Sequence, residues 1–405
     1  MAQEMPDWSE LQHDLLVLIR RRINLIEDFL NFGIVCKSWH SVPTKNNFNS
    51  DLPRIPWLML AEEEEDKDCR KFFSLYNGMI LNKRIPKATG KRCMESMGWL
   101  ITVGKDEGEI SLLHPFSGVQ IQLPHQNTTE DYDEHETGFP FTFIRKAVLS
   151  ASPSHTSDFV LMVVEGNLRF LSFWRPADSR WTRIGWVAAD HSPFVDVVYF
   201  NGHFYAVNYR CQVVVCDVAG PEPTKKSHIV TQLPFDPLEV IGNLYILESL
   251  GSLFVVVRDD VCVKAVKDDC DTRMRFPLTY VPWEGASGLQ DGEKLIYGTT
   301  AFRVFQVDIA VDGKVKVTQT KELGDRAFFL GANSSLSIQA SQFPGIKPNH
   351  IYFTDDFFES YLIFAEGGGL DMGVCNLADG SIQLHYEAVS LSPVCPPTWV
   401  TPTLY

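Results

Sequence analysis

The chain has 405 residues, more than one hydrophobic core usually serves, so a small domain and a large one are expected. With 45% hydrophobic and 21% charged residues, core formation is assured. A net charge of −15 and a pI near 5.2 exclude a chain-wide binder of nucleic acid or of anionic membrane, because phosphate contact needs a basic face.

In chain order, "MAQEMPDWSE" has neither a basic n-region nor an apolar h-region, so no signal peptide is expected. Leu11, Leu15 and Leu18 follow i, i+4, i+7 spacing, and Leu15, Ile19 and Ile23 run beside them. Phe29, Phe32, Cys36 and Trp39 follow i, i+3, i+7, i+10. The spacing predicts short helices over about 11–22, 26–32 and 34–41, ended by Pro43. Ser9 and Gln12 are spaced as a capping box. A segment this short rarely holds a core of its own, so its large apolar residues either pack on the rest of the chain or dock on a partner.

Residues 46–70, with Pro53, Pro56 and the acidic run 62–66, read as a linker between a helical domain at 1–45 and a larger domain at 71–405. Inside the linker, "PRIPWLML" is apolar enough to pack on the larger domain. "NKRIPKATGKRC" (82–93) holds five basic residues and no acid, and reads as a solvated loop, with a nuclear-import patch as the alternative.

From residue 98 one unit recurs: strand, turn, strand, turn, strand, with β-branched and aromatic runs bounded by Gly, Asp, Asn and Pro. Examples are 98–124, 157–185, 195–218, 239–260, 295–323 and 350–386. Units of about 45–60 residues predict a mainly β protein whose large domain is a β-propeller of about six blades, five and seven being the alternatives. No long amphipathic helix interrupts the region, which argues against an α/β fold.

Nine cysteines, with none spaced CxxC and several inside apolar strands, predict reduced, buried thiols in a reducing compartment, cytoplasm or nucleus. Cys211 and Cys216 lack a third and fourth ligand nearby in sequence, so no metal site is expected. The apolar runs are too short to span a bilayer as helices. No nucleophile elbow, HExxH, P-loop or GxGxxG is present, so no catalytic residue and no cofactor are expected. The "GGG" at 367–369 reads as a hairpin loop in preference to a phosphate cradle. Asp355 and Asp356 read as turn aspartates at a strand end, the alternative being a carboxylate pair for acid–base or metal chemistry. The long acidic loop 125–140 carries Tyr132 and Phe139, which are the candidate contacts for a protein substrate.

Residues 7–42, "DWSELQHDLLVLIRRRINLIEDFLNFGIVCKSWHSV", resemble an F-box. Leu11, Asp14, Leu15, Leu16, Ile19, Val35, Cys36, Lys37 and Trp39 stand in the register of that motif, while Gln12 stands where the family usually has Pro. The resemblance implies docking on a Skp-type adaptor, and through it on cullin and RING subunits, by Leu11, Leu15, Leu16, Ile19, Val35, Cys36 and Trp39. Residues 98–405 resemble the kelch-related propeller that follows the F-box in a large plant family, on "GEISLLHPFSGVQIQLP" (108–124), 328–356, 372–386 and "PPTWVTPTL" (396–404). His114 stands where that family often has Asn. Together the two resemblances imply a non-catalytic ubiquitin-ligase subunit that selects an unknown protein substrate. An interaction protein outside any ligase, with its front helices packed inward, is the alternative.

Overall fold

The computed structural model describes residues 7–23, 32–33, 35–42, 55–130, 132, 139–185, 192–216, 218, 227–235, 242–259, 264–267, 293–296, 298–310, 312–343, 345–357, 361–362 and 367–403. Blade 2 (91–122), blade 3 (144–183) and blade 4 (194–232) are four-stranded meanders in which each strand pairs with the next. Their strands are near-continuous apolar runs: Trp99–Gly104 and Leu161–Glu165 are buried at every position. A sheet stacked between two others has no solvent face, so the alternation of a one-sided strand is lost.

Five apolar clusters join neighbouring blades. Four lie between blades 2 and 3, 3 and 4, 4 and 5, and 5 and 6. The fifth joins blade 6 to blade 1 and blade 1 to blade 2, through Phe329, Trp57, Trp399 and Leu100 among others. Six blades therefore close into a ring.

Closure uses distant parts of the chain. In blade 1, Trp57–Met59 pairs on one side with Cys69–Phe73 and on the other with Thr398–Val400, in the register Trp57↔Val400 and Met59↔Thr398. The segment expected to be a linker thus supplies a propeller strand from Trp57 onward. Its apolar "PWLM" has alternate side chains facing the blade 2 and blade 6 sides, which is why four adjacent apolar residues are tolerated there.

Two of the repeat units expected from sequence are halves of one blade. Gly242–Ser249 and Ser252–Asp259 form its first hairpin, and Ala301–Ile309 and Val315–Thr320 its second, joined at Leu253↔Val307. The hairpin Lys264–Lys267/Glu293–Ile296 is inserted between them. Blade 6 also departs from a simple meander: Arg326–Leu330 sits between Leu336–Gln339 and His350–Phe353, and pairs with the latter in parallel.

The innermost strands are Thr398–Val400, Lys91–Ser96, Ile144–Leu149, Phe194–Phe200, Gly242–Ser249 and Leu336–Gln339, for blades 1 to 6. Residues at their beginnings, such as Arg92, Arg145 and Asn243, line one mouth of the axis, here the lower mouth. Residues at their ends, such as Glu95, Leu149, Tyr199 and Glu248, line the other, the upper mouth.

Candidate interaction surfaces

The front segment is a small helical unit. Helix α1 is His13–Arg20 and helix α2 is Lys37–His40. The expected capping box does not form. Asp7 Oδ1 accepts from Ser9 N–H (2.9 Å) and from its hydroxyl (2.6 Å), capping a 3-10 turn at Trp8–Glu10. Gln12 is the N-cap of α1 through its backbone alone, its carbonyl accepting from Leu15 and Leu16 N–H. The helix expected over 26–32 falls mainly on 24–31, outside the described residues.

Leu16, Phe32 and Val42 are buried at the centre of this unit, with Leu11, Val17, Ile23 and Trp39 packed around them. Arg20 is buried too. Its Nη1 donates to Val42 O (2.7 Å) and its guanidinium lies 5.3 Å from the Phe32 ring centre. The Trp39 ring packs 4.5 Å from Phe32, and its indole N–H donates to Trp8 O (2.9 Å). Away from that centre, Trp8, Leu15, Leu18, Ile19 and Val35 are 40–61% exposed, and Leu15, Leu18 and Ile19 share one face of α1 by their i, i+3, i+4 spacing. Of the residues expected to meet an adaptor, Leu15, Ile19 and Val35 are exposed, while Leu11, Cys36 and Trp39 are half-buried. Leu16 is the exception. It is 0% exposed, because a helix places i and i+1 about 100° apart and the face next to Leu15 turns inward. Trp8 and Leu18 are exposed as well, though neither is in the adaptor-contact set that the F-box resemblance implies; Leu18 belongs to the i, i+4, i+7 stripe and Trp8 is one of the segment's large apolar residues.

The two candidate substrate contacts are separated in role. Tyr132 is half-buried, with its ring 5.2 Å from Phe143 against the cluster between blades 2 and 3. Phe139 is exposed beside Phe141. Most of the acidic stretch between them lies outside the described residues.

The aspartate pair and the glycine run meet in the structure. Asp355 Oδ2 accepts from the N–H groups of Gly369 (2.7 Å), Leu370 (3.1 Å) and Asp371 (3.4 Å). The end of the glycine run is therefore occupied by the chain's own Asp355 carboxyl, with Gly369 the glycine that donates to it. Asp356 faces elsewhere: Arg258 Nη1 donates to it (2.9 Å), as does the Tyr245 hydroxyl (2.8 Å). Arg258, wholly buried, also donates from Nη2 to Asp371 Oδ2 (2.8 Å) and from Nε to the Thr299 hydroxyl (2.6 Å). Asp356 and Asp371 thus tie blade 6 to blade 5, whereas Asp355 is bonded to backbone of blade 6 itself.

Close by, at the lower mouth, Lys146 of blade 3 pairs with Asp196 of blade 4 (3.2 Å) and donates to Gly331 O of blade 6 (2.9 Å). Asp196 accepts in turn from Ile246 N–H of blade 5 and from the Ser335 hydroxyl of blade 6 (3.0 Å each). Four blades are tied around one buried ion pair, and the space left at this mouth is about 30 Å³. Arg92, from the basic stretch 82–93, is buried here and donates to the carbonyls of Ile144 and Arg145. Arg84 and Lys91 pair with Asp68 and Glu109, so these basic residues form no common patch. Cys211 and Cys216 lie in different clusters on the two faces of blade 4 and do not converge.

The upper mouth is open, with a cavity of about 550 Å³. Glu95 lines it and is 1% exposed. Its Oε1 accepts from Gly98 N–H (2.7 Å) and Thr401 N–H (3.3 Å), and among the described residues no cation pairs with it. Burial pushes this carboxyl up to about 7, against the pull of those two N–H groups. Glu248 lines the same cavity across the ring, with Oε1 accepting from Gly251 N–H (2.8 Å). His114, the departure from Asn, is buried in the turn: Nδ1 accepts from Ser117 N–H (3.1 Å), and Nε2 reaches the Thr403 hydroxyl (3.0 Å).

Comparison with known proteins agrees with this architecture. The F-box protein SKIP23 of Arabidopsis thaliana is 25% identical, the match covering 98% of this chain and 96% of that protein. The Arabidopsis F-box protein At4g35733 is 22% identical over 94% of this chain and 96% of its own length. The resemblance to plant F-box proteins with a propeller therefore holds along the whole chain. Among solved structures, the β-propeller domain of Myceliophteria thermophila Cps50 (Swd1) overlaps 80% of this chain and 84% of its own at 8% identity, with a TM-score of 0.35. The family model described as the KIB1-4 beta-propeller matches residues 72–376, about three quarters of the sequence, and the chain belongs to that family.

Proposed function

We propose that this chain is the substrate-recognition subunit of a Skp-cullin-F-box ubiquitin ligase, acting in the cytoplasm or nucleus. The observation that carries the reading is the set of exposed apolar side chains on the front segment, Leu15, Leu18 and Ile19 on one face of α1 with Trp8 and Val35 also exposed, in a chain that goes on to form a closed six-blade ring. Clustered exposed side chains of this size on a small helical unit fit the groove of a partner. Leu16, Phe32 and Arg20 form the buried interior of the same unit. Full-length relatives named as F-box proteins add to the reading. The chain performs no covalent step in it. Its contribution is proximity: a substrate held by the propeller has its lysines at high effective concentration near the ubiquitin-loaded enzyme.

The test is binding of the full chain to a purified Skp-type adaptor, wild type beside Leu15→Asp/Ile19→Asp. Both residues face outward, so the melting temperature should hold while binding is lost. Wild-type protein that fails to bind any such adaptor would overturn the reading. A second reading, an interaction protein outside any ligase, is favoured by one contact: Ile23 packs against both the front unit and the propeller core. Hydrogen-exchange protection of α1 equal to that of the blades would support it.

A further inference from the structure

The innermost hairpins of blades 2, 4 and 5 turn at the upper mouth through two-residue loops. Ser96 pairs with Trp99, Phe200 with His203, and Ser249 with Ser252. In all three loops both central residues have positive φ: Met97 and Gly98 at 52° and 83°, Asn201 and Gly202 at 47° and 83°, Leu250 and Gly251 at 53° and 81°. This is the backbone of a type I′ turn, whose first central position favours Asn, Asp or Gly. Asn201 obeys that preference. Met97 and Leu250 do not, and both hold large apolar side chains outward, at 39% and 78% exposure.

The two exceptions belong to one repeated tetrapeptide. Glu95-Ser96-Met97-Gly98 and Glu248-Ser249-Leu250-Gly251 occupy equivalent positions at the tips of blades 2 and 5. In each, the Glu carboxylate accepts from the N–H of the Gly three residues on, at 2.7 and 2.8 Å. In a ring of six, blades 2 and 5 face each other. The upper mouth therefore has two matched hairpin tips on opposite sides of one cavity, which Glu95, Met97 and Glu248 line, with Leu250 exposed at the turn that follows Glu248.

Neither carboxylate has a cation among the described residues, and Glu95 is almost wholly buried. A buried, uncompensated carboxylate at the base of an open cavity is costly to the protein alone and is relieved by a positively charged visitor. A left-handed backbone at a non-glycine, non-asparagine residue is likewise unfavourable, and such positions concentrate where a surface serves binding. The mouth thus asks for a cation at its base and apolar groups at its rim.

We propose that the upper mouth of the propeller is a docking site for a protein segment that inserts one Lys or Arg side chain between Glu95 and Glu248 and lays flanking apolar side chains on Met97 and Leu250. The occupant is fixed by charge complementarity with two unpaired carboxylates and by the apolar rim. Acidic segments and nucleic acids are excluded by the same charges. This deepens the reading of the propeller as the substrate-selecting half, and rests on it.

The test is selection of a random twelve-residue phage-displayed peptide library on the immobilised full chain, followed by titration of the enriched peptides. Enriched peptides should share a Lys or Arg flanked by apolar residues. They should bind Glu95→Gln/Glu248→Gln at least tenfold more weakly, and Met97→Asn/Leu250→Asn several-fold more weakly. Replacing the basic residue of such a peptide by norleucine should weaken binding to wild type alone. Enrichment without a basic residue, equal binding to the glutamine variant, or no enrichment would each overturn the proposal. Adaptor binding is measured on the same variants. If it persists while peptide selection fails, the mouth is wrong and the ligase reading stands; if wild type binds the peptides but no adaptor, the reverse holds. Both variants should melt at or above the wild-type temperature, which separates lost binding from lost folding.

Discussion

The two mouths of the propeller axis treat charge in opposite ways. At the lower mouth Lys146 meets Asp196, and Arg258 meets Asp356 and Asp371 behind it, leaving about 30 Å³ of space. At the upper mouth Glu95 and Glu248 line a cavity of about 550 Å³ whose described lining includes His155 and no Lys or Arg. The blades are alike in architecture, so the difference comes from side chains placed at the two ends of the same innermost strands. Paired charges crosslink blades and fill space, whereas an unpaired buried carboxyl is relieved by a proton or by a cationic visitor. Ring integrity and recognition are thereby assigned to opposite ends of one axis.

The largest expected effect breaks the paired end. Arg258→Met should strand Asp356 and Asp371 in the core and destabilise the propeller by about 3–5 kcal/mol, read by thermal or denaturant unfolding. A loss under about 1 kcal/mol would show that the lower network does not hold blades 5 and 6. At the unpaired end the sign reverses. The Glu95 carboxyl sits near 7 in the fold against a usual 4.5, so the folded state favours its protonated form. Its share of stability is full below about 4.5, falls as pH rises towards 7, and is flat beyond. Glu95→Gln should remove that slope and raise stability at pH 8 by on the order of 3 kcal/mol. Unfolding curves from pH 4.5 to 8 that superimpose for wild type and variant would show that Glu95 has a cation after all.

Smaller effects sharpen the contrast. Leu250→Asn places a favoured residue in the type I′ turn and should stabilise the chain by about 1 kcal/mol by calorimetry, as replacing Asn201 would not. Gln12→Pro is the finest test, and it bears on the front segment. Gln12 already has φ −60° and Leu11 is extended at ψ 134°, so Pro fits without strain. The variant should gain about 0.5 kcal/mol through the unfolded state and bind an adaptor at least as well as wild type, measured by calorimetric titration.

How far the sequence foretold this molecule depends on what kind of signal each part carries. β-Branched runs and turn residues placed three of the four strands of each of blades 2, 3 and 4, because those blades are local meanders, but the units as read left out Lys91–Ser96, Ile144–Leu149 and Ser227–Gln232. Blade 1 was invisible: Trp57–Met59 finds its partner at Thr398–Val400, and no local pattern announces a pairing across that separation. Blade 5 was split in two, because the chain leaves it after Asp259 and returns at Ala301. A missed blade and a divided one offset each other, so a count of about six survived. In the front segment the helical stripe was legible, but which apolar residues it turns inward was not. Leu15 and Leu16 are equally apolar, and only packing against Phe32 and Val42 separates them. The Glu-Ser-apolar-Gly repeat was present in the sequence at both tips. It lacked meaning until the ring placed blade 2 opposite blade 5.

Ring closure by Trp57–Met59 and Thr398–Val400 also sets an order of events during synthesis. The front helices and the middle blades leave the ribosome long before residue 398 does, so blade 1 waits with one edge unpaired until translation reaches its closing strand. A message truncated upstream of that codon would yield a chain with its helical unit made and its ring unsealed. Such a product carries a bare strand edge at Trp57–Met59, the kind of template that captures other strands. Quality control of this protein is therefore expected to act on the closing strand Thr398–Val400 more than on any blade between.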